Sequence, residues 1–257
     1  MSSGGFHIVI PARMASERLP GKPLAMLAGR PLIEHVFQRA CAAGADTVSI
    51  ATDSNEVKSA ARSFGANVVM TSADHQSGTD RIAECVSTLG LDQGQVVVNL
   101  QGDEPLMPAA CLVQVAALLH EDHDADMASL YWPIEDEEDI SNPNVVKVVV
   151  NAGGAAMYFS RSPIPFPRHA RPVPRQQPDT SSWKRHIGLY AYRVAALQEF
   201  SQLPPSELET VEKLEQLRML ESGGKIAMAR ACEFIPAGVD TPEDLERVRT
   251  LLRSTVY

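Results

Sequence analysis

The chain has 257 residues, of which 44% are hydrophobic and 21% charged, with a formal net charge of −9. That length suits one large α/β domain, alone or with a small inserted lobe, and it is long enough to bury a real core. The composition excludes a disordered chain, and the acidic balance argues against non-specific binding to nucleic acid or an anionic membrane, so an anionic ligand would need a local basic cluster.

The first half alternates short β-rich runs with helical periodicity. Residues 6–10 are a compact apolar run that stops at Pro11, as a buried strand would. Pro31 then opens a helix with Leu32, Ile33, Val36, Phe37, Ala40 and Cys41 on one face. Residues 47–51 read as the next strand, followed by a helix carrying Val57, Ala60, Ala61 and Phe64. Strands are expected at 67–70 and 96–100, separated by a helix around Ile82, Val86 and Leu89. This rhythm predicts a mainly parallel sheet covered on both faces, with ligands beyond the carboxyl ends of its strands. The loops after Ile10, Ala51, Met70 and Leu100 are therefore the ones to read for function.

The pattern changes after about Ser129. Residues 145–150 and 155–159 flank Asn151-Ala152-Gly153-Gly154, which predicts an antiparallel hairpin. Residues 163–178 are rich in proline and arginine and read as a loop. Residues 130–184 thus form either a smaller antiparallel lobe or a solvated connection within a single domain spanning 1–257. A helix over 207–221, a strand at 226–231 and a helix from Pro242 close the chain. Cys41, Cys85, Cys111 and Cys232 are scattered without a CxxC pair, and three lie in helix-like apolar patterns, as buried thiols in a reducing compartment would. No run approaches the roughly 20 apolar residues of a membrane span. The amino-terminal residues lack the basic and apolar regions of a signal peptide, so a cytoplasmic protein is expected.

The loop after the first strand, PARMASERLPGK, fits neither GxGxxG nor GxxxxGK[ST] spacing. It nevertheless places Arg13, Arg18 and Lys22 in one segment of an acidic protein. Two guanidinium forks and an ammonium suit phosphate oxygens, although an exposed basic loop would look the same. After the strand at 96–100 comes Gln101-Gly102-Asp103-Glu104-Pro105, where an acid at the carboxyl end of a buried strand suits Mg²⁺ or a helix cap. A second acid precedes the last helix in Asp240-Thr241-Pro242-Glu243-Asp244. Thr241 fits the N-cap, Pro242 the first helical position and Asp244 the capping-box acid, which leaves Asp240 free to face a cleft. Two facing carboxylates repel, so the metal-free fold is expected to keep or gain stability when Asp240 becomes Asn. A DxD-like spacing occurs at Asp122-His123-Asp124, which would suit a glycosyltransferase but follows a helix rather than a core strand.

The segments PARMASERLPGKPL, ATDS, DHQSGTDR, VVNLQGDEP, NPNVVKVV, YFSRSPIP, HIGLYAYR, LEQLR and GVDTPEDLERVR occur in that order. As a set they resemble the 3-deoxy-manno-octulosonate cytidylyltransferase (CMP-Kdo synthetase) family over nearly the whole chain. The resemblance implies a GT-A-like nucleotide-diphospho-sugar transferase fold, a Rossmann-like mixed, mainly parallel sheet with helices on both faces. It also implies CTP and Kdo as substrates, CMP-Kdo and pyrophosphate as products, Mg²⁺ as cofactor, and a cytoplasmic homodimer serving lipopolysaccharide biosynthesis. On this sequence it would assign Arg13, Arg18 and Lys22 to the triphosphate. Pro11 and Ala12, with Ser77, Gly78 and Thr79, would frame the cytosine. Asp103 and Asp240 would hold Mg²⁺, and Gln101, His186, Tyr190, Glu215 and Gln216 would line the sugar-acid pocket. For His186 and Tyr190 the alternative is a buried, bonded pair on one strand face, and for Glu215 and Gln216 a solvated helix face is the usual explanation without the resemblance.

Overall fold

A computed structural model describes residues 4–15, 18–75, 77–168 and 182–254. The proline- and arginine-rich loop expected at 163–178 lies outside the described residues from 169 onward. The strands are β1 (Phe6–Ala12), β2 (Met26–Leu27), β3 (Arg30–Pro31), β4 (Thr47–Thr52), β5 (Asn67–Met70), β6 (Val96–Asn99), β7 (Met127–Pro133), β8 (Lys147–Val150), β9 (Ala156–Ser160), β10 (Lys184–Arg193) and β11 (Ile226–Arg230). The helices are α1 (Leu32–Ala42), α2 (Asn55–Ser63), α3 (Gly78–Leu89), α4 (Ala109–Glu121), α5 (Glu137–Ser141), α6 (Val194–Gln202), α7 (Glu207–Glu212), α8 (Gln216–Glu221) and α9 (Pro242–Ser254).

One mixed sheet organises the molecule in the order β11-β7-β10-β6-β1-β4-β5. Strands β6, β1, β4 and β5 run parallel, β10 runs antiparallel between β6 and β7, and β11 is parallel to β7. Side chains alternate across each strand, so β1 sends Ile8 and Ile10 to one face and Val9 to the other. The first face packs under α1, α2 and α4 through Ile33, Val57 and Leu112. The second packs under α3, α6 and α8 through Ile82, Leu197 and Leu217. Helices therefore cover both faces, as the βαβ rhythm requires.

The expected hairpin is present as β8–β9, paired antiparallel from Lys147↔Ser160 to Val150↔Ala156. It joins the main sheet through Arg185↔Lys147 of β10, while a separate two-stranded sheet is formed by β2 and β3. β7 lies inside the main sheet, so residue 130 falls within a core strand. The continuous helix expected at 207–221 is instead two, α7 and α8, divided at Lys213, whose φ of 55° is left-handed. Val211, an apolar residue of that stretch, is exposed. Among the cysteines Cys85 and Cys111 are buried, but Cys41 and Cys232 are exposed, and all four are free thiols. No helix of the described residues is long and apolar enough to cross a membrane.

Candidate active site

The carboxyl ends of β1 and β6 open onto a cavity of about 900 Å³. Its walls come from the loop after β1, the start of α3, the loop after β6, β10, the start of α8 and Asp240, two residues before α9. Pro11, Ala12, Arg13, Arg18, Lys22, Ser77, Gly78, Thr79, Gln101, Asp103, Tyr190, Glu215 and Asp240 all line it. His186 and Gln216 do not.

The basic loop is shaped rather than free. Gly21 takes a left-handed φ of 69° and caps a short 3₁₀ turn, Lys22–Leu24, with Pro23 at its start. That turn aims Lys22 across the cleft, where its Nζ lies 2.6 Å from Asp103 Oδ2 and 3.0 Å from Asp240 Oδ1. Arg18 Nη2 also reaches Asp240 Oδ1, at 3.1 Å. Burial works to lower the Lys22 pKa, but Asp103 and Asp240 outweigh it and hold the ammonium above its ordinary value. Two residues 137 positions apart in sequence thus present carboxylates to one cation.

Each acid is aimed by local bonding. Thr241 Oγ1 accepts from Asp244 N–H at 3.2 Å, and Asp244 Oδ2 accepts from Thr241 N–H at 3.1 Å, the capping box anticipated for α9. Capping falls to Thr241 and Asp244, leaving the Asp240 carboxylate to the cleft. The Val239 N–H donates to the Asp103 backbone carbonyl at 2.8 Å, which docks the two acidic loops on each other. Gly238 permits this approach, because a Cβ there would lie 2.8 Å from Glu104 Oε1 and 2.9 Å from Asp103 O. Glu104 itself turns inward, where burial, then Asp103 and Asp240, push its pKa up to about 8.

Opposite the basic loop, α3 begins at the cavity wall. Ser77 is its N-cap, accepting from Asp80 N–H at 3.1 Å, so its hydroxyl is engaged in the cap. What this end presents to a ligand is the helix start at Gly78 and Thr79, with Gly78 against Pro11, whose Cγ a Cβ would meet at 3.5 Å. Behind it, buried Arg81 bonds Thr71 Oγ1 at 2.5 Å and Asp53 Oδ2 at 2.7 Å. That guanidinium ties the loops after β4 and β5 to α3. Sequence reasoning assigned no role to Arg81, His75 or Asn99, all of which line the cavity. The signal was present for the first two, which lie inside DHQSGTDR.

The far end is polar and partly dry. Gln101 Nε2 donates to Asn99 Oδ1 at 3.0 Å, and Thr79 Oγ1 donates to Glu215 Oε2 at 3.1 Å. Glu215 Oε1 is buried with no hydrogen-bond partner among the described residues, and Arg218 Nη2 stands 4.0 Å away. Burial raises the Glu215 pKa. Glu215 follows the left-handed Lys213 by two residues, at the N-cap of α8. Arg218 in turn is fixed by a two-pronged pair with Glu209, at 2.5 and 2.7 Å, and lies over Phe200.

His186 is half-buried and adjoins the cavity through Tyr190. Its ring packs 5.4 Å from Tyr190 and 4.8 Å from Phe159. Four residues of regular strand would separate two side chains by about 13 Å, and the register shift between Ile187 and Tyr190 shortens that reach. Burial pushes the His186 pKa down to about 3, so the imidazole is neutral. Ser129 Oγ lies 3.0 Å from Nε2 and also donates to a main-chain carbonyl, which makes Nε2 the donor and leaves Nδ1 an acceptor. Gln216 is buried behind Glu215 rather than solvated.

A family model described as cytidylyltransferase matches residues 7–226. A 3-deoxy-manno-octulosonate cytidylyltransferase of Cellvibrio japonicus is 52% identical over 249 residues, covering 96% of this chain and 98% of that one. One of the same description from Xanthomonas campestris pv. campestris strain B100 is 50% identical, covering 98% and 90%. The solved structure of a CMP:2-keto-3-deoxy-manno-octonic acid synthetase complexed with CTP superposes with a TM-score of 0.89 at 41% identity, covering 98% of this chain and 100% of the other.

Proposed function

The chain belongs to the cytidylyltransferase family, and from that premise we propose that it joins CMP from CTP to 3-deoxy-D-manno-octulosonate, giving CMP-Kdo and pyrophosphate. The observation that carries this reading is the gathering of this chemistry in one cleft. A cation of the first loop bonds two convergent carboxylates, and Gln101, Tyr190 and Glu215 line the same cavity. Arg13, Arg18 and Lys22 bind the triphosphate and neutralise the departing pyrophosphate. Pro11 and Ala12, with the α3 start at Ser77, Gly78 and Thr79, frame the cytosine. Gln101, Tyr190 and Glu215 receive the sugar acid, while His186 and Gln216 adjoin them.

The anomeric hydroxyl attacks the α-phosphorus and pyrophosphate leaves, so the protein's work is positioning and charge stabilisation rather than nucleophilic catalysis. Asp103 and Asp240 fit Mg²⁺: both aim hard anionic oxygens at one point, already shared by one cation. Among the described residues no three His, Cys, Asp or Glu side chains form a cage, which suits an ion that keeps waters and takes substrate phosphate as well. Bound there, Mg²⁺ would supply Lewis-acid stabilisation of charge at the α-phosphate. The enzyme is a cytoplasmic homodimer in this reading, and its product serves lipopolysaccharide synthesis.

A glycosyltransferase reading would need the Asp122-His123-Asp124 spacing to hold a metal. Asp122 instead ends α4 and is paired to Lys225 at 2.8 Å, on a different surface from the cleft. The discriminating experiment is pyrophosphate release with CTP, Mg²⁺ and a panel of sugar acids. Kdo-dependent release is expected. Release with a different acid only would move the assignment to another sugar-nucleotide synthetase, and none with any acid would refute the transfer.

A further inference from the structure

We propose that Lys22 is a stand-in cation: in the nucleotide-free protein its ammonium holds Asp103 and Asp240 together and keeps a divalent ion out, and an incoming nucleoside triphosphate draws it off so that metal and nucleotide enter as a pair. The proposal rests on the reading of Asp103 and Asp240 as the metal ligands. Two observations carry it. Lys22 Nζ bonds both carboxylates, at 2.6 and 3.0 Å, so it occupies the point on which both are aimed. Arg18 Nη2 shares the same Asp240 oxygen at 3.1 Å, so the two acids already meet two cationic groups. A divalent ion arriving alone would be pressed against the ammonium and would have to displace it with nothing to receive it.

A triphosphate changes that balance. It brings more negative charge than the two carboxylates together and arrives beside Arg13, Arg18 and Lys22, which sit on one loop. The loop backbone need not move. Gly21 is fixed in its left-handed turn, and the Leu24 N–H bonds Gly21 O at 2.9 Å. Only the flexible four-carbon stem of Lys22 has to swing from carboxylate to phosphate. Its departure exposes two hard oxygens together, at the moment when phosphate oxygens are present to complete the coordination of the metal. Metal without substrate is thereby disfavoured by the same side chain that later binds the nucleotide.

The test is Mn²⁺ binding to the whole protein without nucleotide, followed by the EPR signal of the free ion, which needs no turnover. Wild type, Lys22→Met, Asp240→Asn and Lys22→Met/Asp240→Asn are compared, first without nucleotide and then with CTP. Lys22→Met should bind one Mn²⁺ at least about tenfold more tightly than wild type, and the double variant should lose that gain. In chelator the Lys22→Met protein should melt below wild type, and added Mn²⁺ should raise its melting point more than that of wild type. Should Lys22→Met fail to fold, Lys22→Gln takes its place, with the same expectation. Equal Mn²⁺ affinity in wild type and Lys22→Met, lost in both on Asp240→Asn, would overturn the stand-in role while leaving the carboxylate pair as the metal site. Absence of Mn²⁺ binding by every variant, with CTP or without, would overturn both.

Discussion

Glu215→Gln should make the protein more stable and less active. In the wild type one carboxylate oxygen is bonded by Thr79, while the other is buried without a donor, and burial raises the pKa of the group. The amide leaves a polar atom in the same place without a partner, so what the variant relieves is the burial of the charge, about 1–3 kcal/mol for a group short of bonds. Because 35% of the side chain is still exposed, the lower end applies, about 1 kcal/mol. Relief of that amount corresponds to a rise of about 2–4 °C in melting temperature for a chain of this size. The sign of the pH dependence follows from the raised pKa. Between the ordinary carboxylate range and the raised value the folded protein holds more protons than the unfolded chain, so wild-type stability falls as pH rises through that window. The variant's advantage should therefore be absent in acid and largest above the raised pKa. If a hydroxyl of the sugar acid donates to the free oxygen, removing the charge forfeits about 1.5–3 kcal/mol of transition-state binding, roughly tenfold to 150-fold in kcat/KM. Scanning fluorimetry across pH and a pyrophosphate-release assay with the sugar acid varied measure both. A lower melting temperature would show that Glu215 is structural. A higher one with unchanged kcat/KM would show that its free oxygen faces no substrate.

Asp240→Asn should shift the Mg²⁺ titration of activity to higher concentration and slow the chemical step; unchanged dependence at the wild-type rate would remove Asp240 from the metal site. Its metal-free stability should fall slightly rather than hold or rise, as facing carboxylates alone would suggest, because Lys22 and Arg18 already neutralise the pair. Chelator melts decide between the two signs. Arg18→Ala should lower kcat/KM at least about tenfold, with stability changed by less than about 1 kcal/mol, since its pair with Asp240 is a surface one. Early unfolding of that variant would make the side chain structural. Gly238→Ala should cost about 1–3 kcal/mol through overpacking and weaken the Mg²⁺ dependence, as its Cβ would stand 2.9 Å from the Asp103 carbonyl and separate the two acidic loops. Wild-type stability together with wild-type Mg²⁺ dependence would refute the close docking.

Local patterns in the sequence carried most of the fold. The compact apolar run of β1, whose Ile8 and Ile10 face one layer and Val9 the other, and the three-and-four spacing of α1 to α3 predict a sheet covered on both faces, and that sheet forms. The capping box at Thr241 and Asp244 is equally local, and it freed Asp240 for the cleft before any contact was visible. Such features are set by neighbours a few positions away, where period and cap chemistry act directly on the backbone.

The break between α7 and α8 is different. Lys213 adopts a left-handed conformation with neither glycine nor proline to announce it, and it is the packing of Glu215 on Thr79 and of Arg218 on Glu209 and Phe200 that accompanies the turn. Gln216, on a helix face that reads as solvated, is buried, because the start of α8 turns it inward. Above all, the meeting of Lys22 with Asp103 and Asp240 spans 81 and 218 positions of chain. No periodicity reports a contact between residues so far apart. It exists because β1 and β6 are neighbours in the sheet and the docking of Val239 on Asp103 carries the start of α9 to the same edge. Local pattern thus gives the order of cationic, acidic and polar groups along the chain. Packing of distant segments gathers them into one cleft, with a lysine between the two acids.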